Sequence, residues 1–197
     1  MDIAIFGGTF DPPHYGHLMI AEEVLCACSL DAVWFMPSPI PPHKTGKMIT
    51  DSRHRIEMVR LAIADNEEFH LSLLEFERKG PSYTIDTIQH LVENHPDDRF
   101  YFLIGADMVE DLPNWHRADE LVRLVTFIGV GRPGFSLKSE YADSIREVKI
   151  PEFEVSASFL RSRFRENGNT RYLLPDKVRK YIGEKGLYGQ ENRVGNR

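Results

Sequence analysis

Apolar residues along this chain fall into two rhythms. Short solid runs occupy residues 3–6 (Ile-Ala-Ile-Phe), 32–36 and 100–104, and part of 121–130. Runs of this length, bounded by Gly, Pro or polar residues, predict strands buried on both faces. Between them, apolar residues recur every three or four positions. Leu18, Ala21, Val24 and Leu25 predict a helix over about 15–29, and Ile56, Val59 and Ile63 one over about 50–64. Ile85, Ile88, Leu91 and Val92 predict another, opened by Ser82-Tyr83-Thr84 and stopped before Pro96. Residues 69–76 and 148–155 read as extended. Ser156 or Ser158 opens a helix to about residue 166, and Leu174-Pro175-Asp176 opens a last one ending near Gly186.

Strands that alternate with helices predict a parallel sheet covered on both faces, an α/β doubly wound, Rossmann-like architecture of about five strands. The expected organisation is one domain over residues 1–189. Its C-terminal helical part covers about 156–189, and residues 190–197 form a polar, frayed tail. In such sheets ligands sit beyond the carboxyl ends of the strands. Four segments fall at such ends: residues 7–17, the Pro41-Pro42-His43-Lys44 loop, Gly105-Ala106-Asp107 and Gly131-Arg132-Pro133.

The first of these carries the most chemistry. It reads Gly7-Gly8-Thr9-Phe10-Asp11-Pro12-Pro13-His14-Tyr15-Gly16-His17. Glycines let main-chain N–H groups approach an anion, and the helix that follows adds its positive dipole end. His14 and His17 stand three apart, so at a helix start they share a face. Neither common nucleotide loop, Gly-x-x-x-x-Gly-Lys-Ser/Thr or Gly-x-Gly-x-x-Gly, is present. The positive charge that lysine supplies there is expected from histidine here.

Composition narrows the partners. Hydrophobic residues make up 42% of the chain and the formal net charge is −6, which argues against a general nucleic-acid or membrane-surface binder. No apolar run reaches a transmembrane length and no basic-then-apolar leader opens the chain, so the expected compartment is the cytoplasm. The two cysteines, Cys26 and Cys28, raise the question of a zinc site with His14 and His17. Residues two apart on a helix point to different sides, so the expectation is no metal site. Arg53-His54-Arg55 reads as a solvated helix face, and Arg163 and Arg165 as surface.

The opening string resembles the nucleotidylyltransferase superfamily, and within it the bacterial nicotinate mononucleotide adenylyltransferases. That resemblance implies an enzyme of NAD biosynthesis. It would transfer the adenylyl group of ATP to nicotinate mononucleotide, giving nicotinate adenine dinucleotide and pyrophosphate. Further blocks extend it. Ser156-Ala157-Ser158-Phe159-Leu160-Arg161 is similar to the family's Ile-Ser-Ser-Thr-x-x-Arg element, with Ala157 where Ser is usual. The roles implied are catalysis by His14, His17 and Arg161. ATP binding falls to Gly7, Gly8, Thr9, Phe10, His14, His17, Gly105, Asp107, Ser156, Ser158 and Arg161. For the mononucleotide the implied residues are His43, Lys44, Thr84, Trp115, His116 and Arg132; His116 stands where Tyr is common. The resemblance also implies Mg2+ arriving with ATP rather than in a protein cage, and a homodimer. Two other readings stay open: a sister enzyme acting on phosphopantetheine, against which His14 and Trp115 argue, and a nucleotide sensor that has lost turnover.

Overall fold

The structure, a computed structural model, describes residues 1–39, 49–77, 83–131, 140–151 and 153–189. In chain order it runs β1 (Asp2–Gly8), α1 (Tyr15–Cys28), β2 (Ala32–Pro37), α2 (Ser52–Ile63), β3 (Phe69–Leu71), α3 (Leu74–Glu77), α4 (Thr84–Asn94) and β4 (Arg99–Gly105). It continues with α5 (Ala106–Asp111), α6 (Ala118–Leu124), β5 (Thr126–Gly131), β6 (Ile145–Lys149), α7 (Ala157–Arg165) and α8 (Asp176–Glu184), then a 3₁₀ turn over Leu187–Gly189.

The described strands form one six-stranded sheet in the order β3-β2-β1-β4-β5-β6, every pair parallel. The period of two along each strand divides the core. Ala4, Phe6, Val33, Phe35 and Leu103 face α1, α2, α7 and α8 through Ala21, Val24, Met58, Val59, Leu160, Phe164, Val178 and Ile182. Ile3, Ile5, Phe102 and Ile104 face Ile85, Ile88 and Leu91 of α4 and Leu121 of α6. Strand order reverses between β1 and β4. The crevice at that switch point lies beyond Gly8 and Gly105, the last residues of the two strands.

Two expectations are corrected. The sheet has six strands rather than about five. The sixth, β6, buries Ile145 and Val148 with Arg146, Glu147 and Lys149 exposed, so its pattern is too polar to stand out, and it starts before the expected 148–155 stretch. Residues 69–76 are strand only to Leu71; the chain then turns into the short α3. The strand expected within 121–130 is β5, and the apolar residues before it belong to α6, whose Leu121 packs in the same core layer as Phe127.

Candidate active site

The turn after β1 is shaped by rings. Phe10 adopts φ +48°, and its side chain, 2% exposed, turns inward to meet Phe6 at 5.5 Å, Phe35 at 5.7 Å and His17 at 5.1 Å. A Cβ on Gly8 would lie 2.8 Å from that ring, so only glycine fits there. His14 is the N-cap of α1, in extended conformation, and His17 closes the first turn. Their rings lie 3.7 Å apart and tilted by 31°. Gly16 makes this possible: a Cβ there would press on His14 Nδ1 at 2.9 Å.

The imidazoles are not alike. The His14 main-chain N–H donates to His17 Nδ1 at 3.2 Å. A neutral His17 therefore carries its proton on Nε2. Nδ1 of His14 is buried and has no hydrogen-bond partner among the described residues. Burial pushes the His14 pKa down to about 4. His17 is pushed well below the usual imidazole value, first by burial and then by His14. Both rings are thus neutral near pH 7 in the free protein. The expected histidine charge is absent until something supplies a counter-charge.

Asp11, between the glycines and the histidines, is 4% exposed. Its main-chain oxygen accepts a hydrogen bond of 2.6 Å from Arg161 Nη1. The C-terminal block is thereby brought to the opening turn, across 150 residues of sequence. Arg161 sits on α7, and a guanidinium carries five donors, so most of the fork is left for other acceptors. Ser156 caps α7: its Oγ accepts from the Phe159 N–H at 3.2 Å. Ser158 Oγ lies 3.1 Å from Ser156 Oγ, and both serines are exposed at the helix start.

Across the switch point the remaining candidates gather around β4 and α4. A Cβ built on Gly7 would touch the Phe102 ring at 3.5 Å, and Phe102 meets the half-buried Trp115 edge-on at 6.1 Å. One ring thus connects the glycine turn to Trp115. Thr84 is the first residue of α4, whose N-cap is Tyr83. The exposed Tyr83 ring lies 4.5 Å from that of His116, so the two segments meet. Gly105 is the N-cap of α5, with Asp107 in the first turn of that helix. His43, Lys44 and Arg132, and the capping role given to Ser82, lie outside the described residues.

Cys26 is exposed and Cys28 buried, on different sides of α1 as their spacing expects. Among the described residues no group of three or more His, Cys, Asp or Glu is placed to hold a metal ion.

Comparison with known proteins identifies the family. A cytidylyltransferase-like family model matches residues 5–163. A probable nicotinate-nucleotide adenylyltransferase of Geobacillus thermodenitrificans is 56% identical over 194 residues, 98% of this chain and 89% of the relative. The nicotinate-nucleotide adenylyltransferase of Bacillus subtilis is 55% identical over 186 residues, 94% of this chain and 97% of the relative. The chain belongs to the nicotinate-nucleotide adenylyltransferases, within the cytidylyltransferase-like family. The fold agrees as well. Plasmodium falciparum nicotinic acid mononucleotide adenylyltransferase, in a structure complexed with NaAD, superposes with a TM-score of 0.81. Its identity is 23%, over 96% of this chain and 98% of that one.

For an adenylyltransferase the structure adds a residue that the sequence reading placed on the surface. Arg55 is 1% exposed, not solvated. Its Nε donates to Thr50 O at 3.0 Å, Nη1 to Thr9 O at 2.9 Å and Nη2 to Pro39 O at 2.8 Å. One side chain thereby ties the ends of β1 and β2 to the approach of α2. The signal was present: Arg55 stands three, four and seven residues before Met58, Val59 and Ala62, the buried stripe of α2.

Proposed function

We propose that this chain transfers the adenylyl group of ATP to nicotinate mononucleotide, releasing pyrophosphate and forming nicotinate adenine dinucleotide. A phosphate oxygen of the mononucleotide attacks the α-phosphorus of ATP. The bond from that phosphorus to the bridging oxygen breaks, and the electron pair leaves with pyrophosphate. The nucleophile is already an anion, so no general base is needed. Catalysis reduces to positioning and to stabilising charge on the equatorial and leaving oxygens.

The observation that carries this reading is the imidazole pair at the N-terminus of α1, 3.7 Å apart at the switch point of the sheet. Identity of 56% to a relative named for this activity supports it. His17 is proposed to donate from Nε2 to the α-phosphate, with His14 beside it. The approaching anion raises the imidazole pKa values and lets the pair take up charge where charge develops. Arg161, with Ser158 and Ser156 at the start of α7, is proposed to hold the β- and γ-phosphates; Gly7, Gly8, Thr9 and Phe10 present main chain to ATP, and Gly105 and Asp107 its ribose. Trp115 stacks the pyridine ring and the Thr84 helix start receives its carboxylate, with His116, His43, Lys44 and Arg132 completing the mononucleotide side.

A divalent ion would enter this chemistry with ATP, and we propose Mg2+, which would neutralise phosphate charge. Asp11, the carboxylate of the opening turn, already accepts from Tyr188 and from the Thr50 N–H, and no protein ligand is assigned to the ion. We propose one domain over residues 1–189, a homodimer, and a cytoplasmic location. No helix among the described residues is long and apolar enough to cross a membrane.

The test is pyrophosphate release from ATP with each pyridine mononucleotide in turn. The expected result is turnover with kcat/KM highest for the nicotinate form. Turnover with neither mononucleotide overturns the reading, and preference for the nicotinamide form overturns the carboxylate site.

A further inference from the structure

Asp11 is held from the far end of the chain. The Tyr188 hydroxyl donates to Asp11 Oδ1 at 2.5 Å, across 177 residues. The other carboxylate oxygen accepts the Thr50 N–H at 3.2 Å, and the main-chain oxygen accepts Arg161 Nη1 at 2.6 Å. Tyr188 belongs to the 3₁₀ turn after α8, and its backbone is left-handed, at φ +59°. A non-glycine residue rarely stays there unless its surroundings hold it. Here the ring stacks on Phe164 of α7 at 5.7 Å and the hydroxyl is committed to Asp11. Burial first, then the Asp11 charge, pushes the Tyr188 pKa far above the usual phenol value, so the hydroxyl keeps the proton that it donates.

We propose that Tyr188 is a positioning residue for adenylyl transfer: its hydroxyl fixes Asp11, and Asp11 fixes both the turn that carries His14 and the Arg161 guanidinium. The packing supports a specific role. Two segments, at Tyr188 and Thr50, converge on one buried carboxylate three residues before His14, and a third, α7, bonds the same residue's main chain through Arg161. Without the Tyr188 hydroxyl the buried carboxylate keeps only the Thr50 N–H, and the turn that presents the Asp11 main-chain oxygen to Arg161 loses one of its anchors. The phosphate contacts of Arg161 would then be misplaced although Arg161 itself is unchanged. Among the described residues, Thr84, Trp115 and His116 on the mononucleotide side make no hydrogen bond or ring contact with Asp11, Tyr188 or Arg161, so that side should be insensitive.

The inference rests on the adenylyltransferase reading, but ATP affinity tests it separately. Tyr188→Phe keeps the ring on Phe164 and removes only the hydroxyl. Expected are an ATP Kd weaker by about fivefold by titration calorimetry and a kcat lower by about tenfold, the scale of one hydrogen bond to a charged group. KM for nicotinate mononucleotide should stay within about twofold, the scale of an untouched contact. In an Asp11→Asn background, adding Tyr188→Phe should cost little more, because the two side chains act as one unit. An unchanged ATP Kd in folded Tyr188→Phe overturns the proposal, and so does an equal rise in both KM values. Should wild-type protein bind ATP yet turn over neither mononucleotide, the activity reading fails while the ATP titration still decides the role of Tyr188. If Tyr188→Phe does not fold, Tyr188→Phe combined with Asp11→Leu removes the stranded carboxylate; full ATP affinity in that folded variant overturns the proposal.

Discussion

Residues 9–17, at the β1 side of the cleft, are gripped from below by buried groups. Arg55 holds the Thr9 carbonyl, Tyr188 and the Thr50 N–H hold the Asp11 carboxylate, and the His14 N–H is taken by His17. The α4 and α6 side rests on a buried layer of Ile85, Ile88, Leu91 and Leu121, but its cleft-facing polar groups meet at the surface. The exposed Tyr83 and His116 rings lie 4.5 Å apart, and Glu120 collects hydrogen bonds from Gln89 and the exposed Arg117. The difference follows from the chemistry each side must do. Charge develops at phosphorus, so groups there need fixed positions that cost nothing to reorganise during reaction. A flat ring needs only a platform and one anion contact, the roles proposed for Trp115 and the start of α4. Perturbing the first side should therefore damage stability and turnover, and perturbing the second should alter substrate preference.

The largest effect is expected at Arg55. Arg55→Met removes the buried donor shared by three part-buried carbonyls and should cost about 4 kcal/mol of stability, at about 1–3 kcal/mol per lost contact with partial relaxation. Arg55→Lys should fall between, because an ammonium cannot span three acceptors held in a planar fork. Denaturant midpoints for the three proteins decide this. A loss below about 1 kcal/mol for Arg55→Met, the range of ordinary surface changes, would show that the brace is incidental.

The second effect is a pH dependence with a definite sign. The folded His14 pKa, about 4, lies below its ordinary value of 6.5, so the unfolded chain binds the proton more tightly. Stability is complete above pH 6.5 and is lost as pH falls toward 4, by at most about 3 kcal/mol from this ring. His17 acts in the same direction. Unfolding free energy followed between pH 7 and pH 4 should be steeper for wild type than for His14→Gln. Identical slopes would mean that His14 is solvated in solution.

Third comes turnover. His17→Ala should fold and lose about a hundredfold or more in kcat, the scale of removing one preorganised donor to developing charge. A folded variant with near-normal kcat would remove His17 from the mechanism.

How much of this could be read from residues alone differs between the two sides. The opening turn was legible because its parts are contiguous: glycines, hydroxyl and imidazoles fall within eleven residues between a strand and a helix. Its supports were not. Tyr188 meets Asp11 across 177 residues, and no local pattern encodes that pairing. Arg55 was misread because charge was taken as a sign of solvent, although its spacing to Met58 and Val59 placed it on the buried stripe. The sheet was legible where strands are buried on both faces, as in β1 and β4. It was obscured at β6, an edge strand whose charged residues dilute the pattern. The two histidines were expected to share a face and their rings do lie together, 3.7 Å apart, but their charge was misjudged, because burial is a tertiary property.

The smallest effects belong to the α4 side and test whether it recognises rather than catalyses. Trp115 is packed edge-on against Phe102 and Phe127 and is half-buried, so part of the indole remains available as a platform. Stacking is indifferent to acid or amide, since both pyridine rings are flat. Trp115→Ala should therefore raise KM for both mononucleotides alike. Thr84 stands at the first turn of α4, where a hydroxyl, main-chain N–H groups and the helix dipole favour a carboxylate. Thr84→Ala should narrow the preference for the nicotinate form by about 1–2 kcal/mol, the value of one hydrogen bond to a charged group. The retained N–H groups soften that loss, so the lower figure is the firmer one. kcat/KM for both mononucleotides in wild type and both variants separates the roles. A Thr84→Ala enzyme with unaltered preference would leave the carboxylate to the main chain alone. A large drop in its kcat at saturation would instead mean that the two sides of the cleft are not divided as argued.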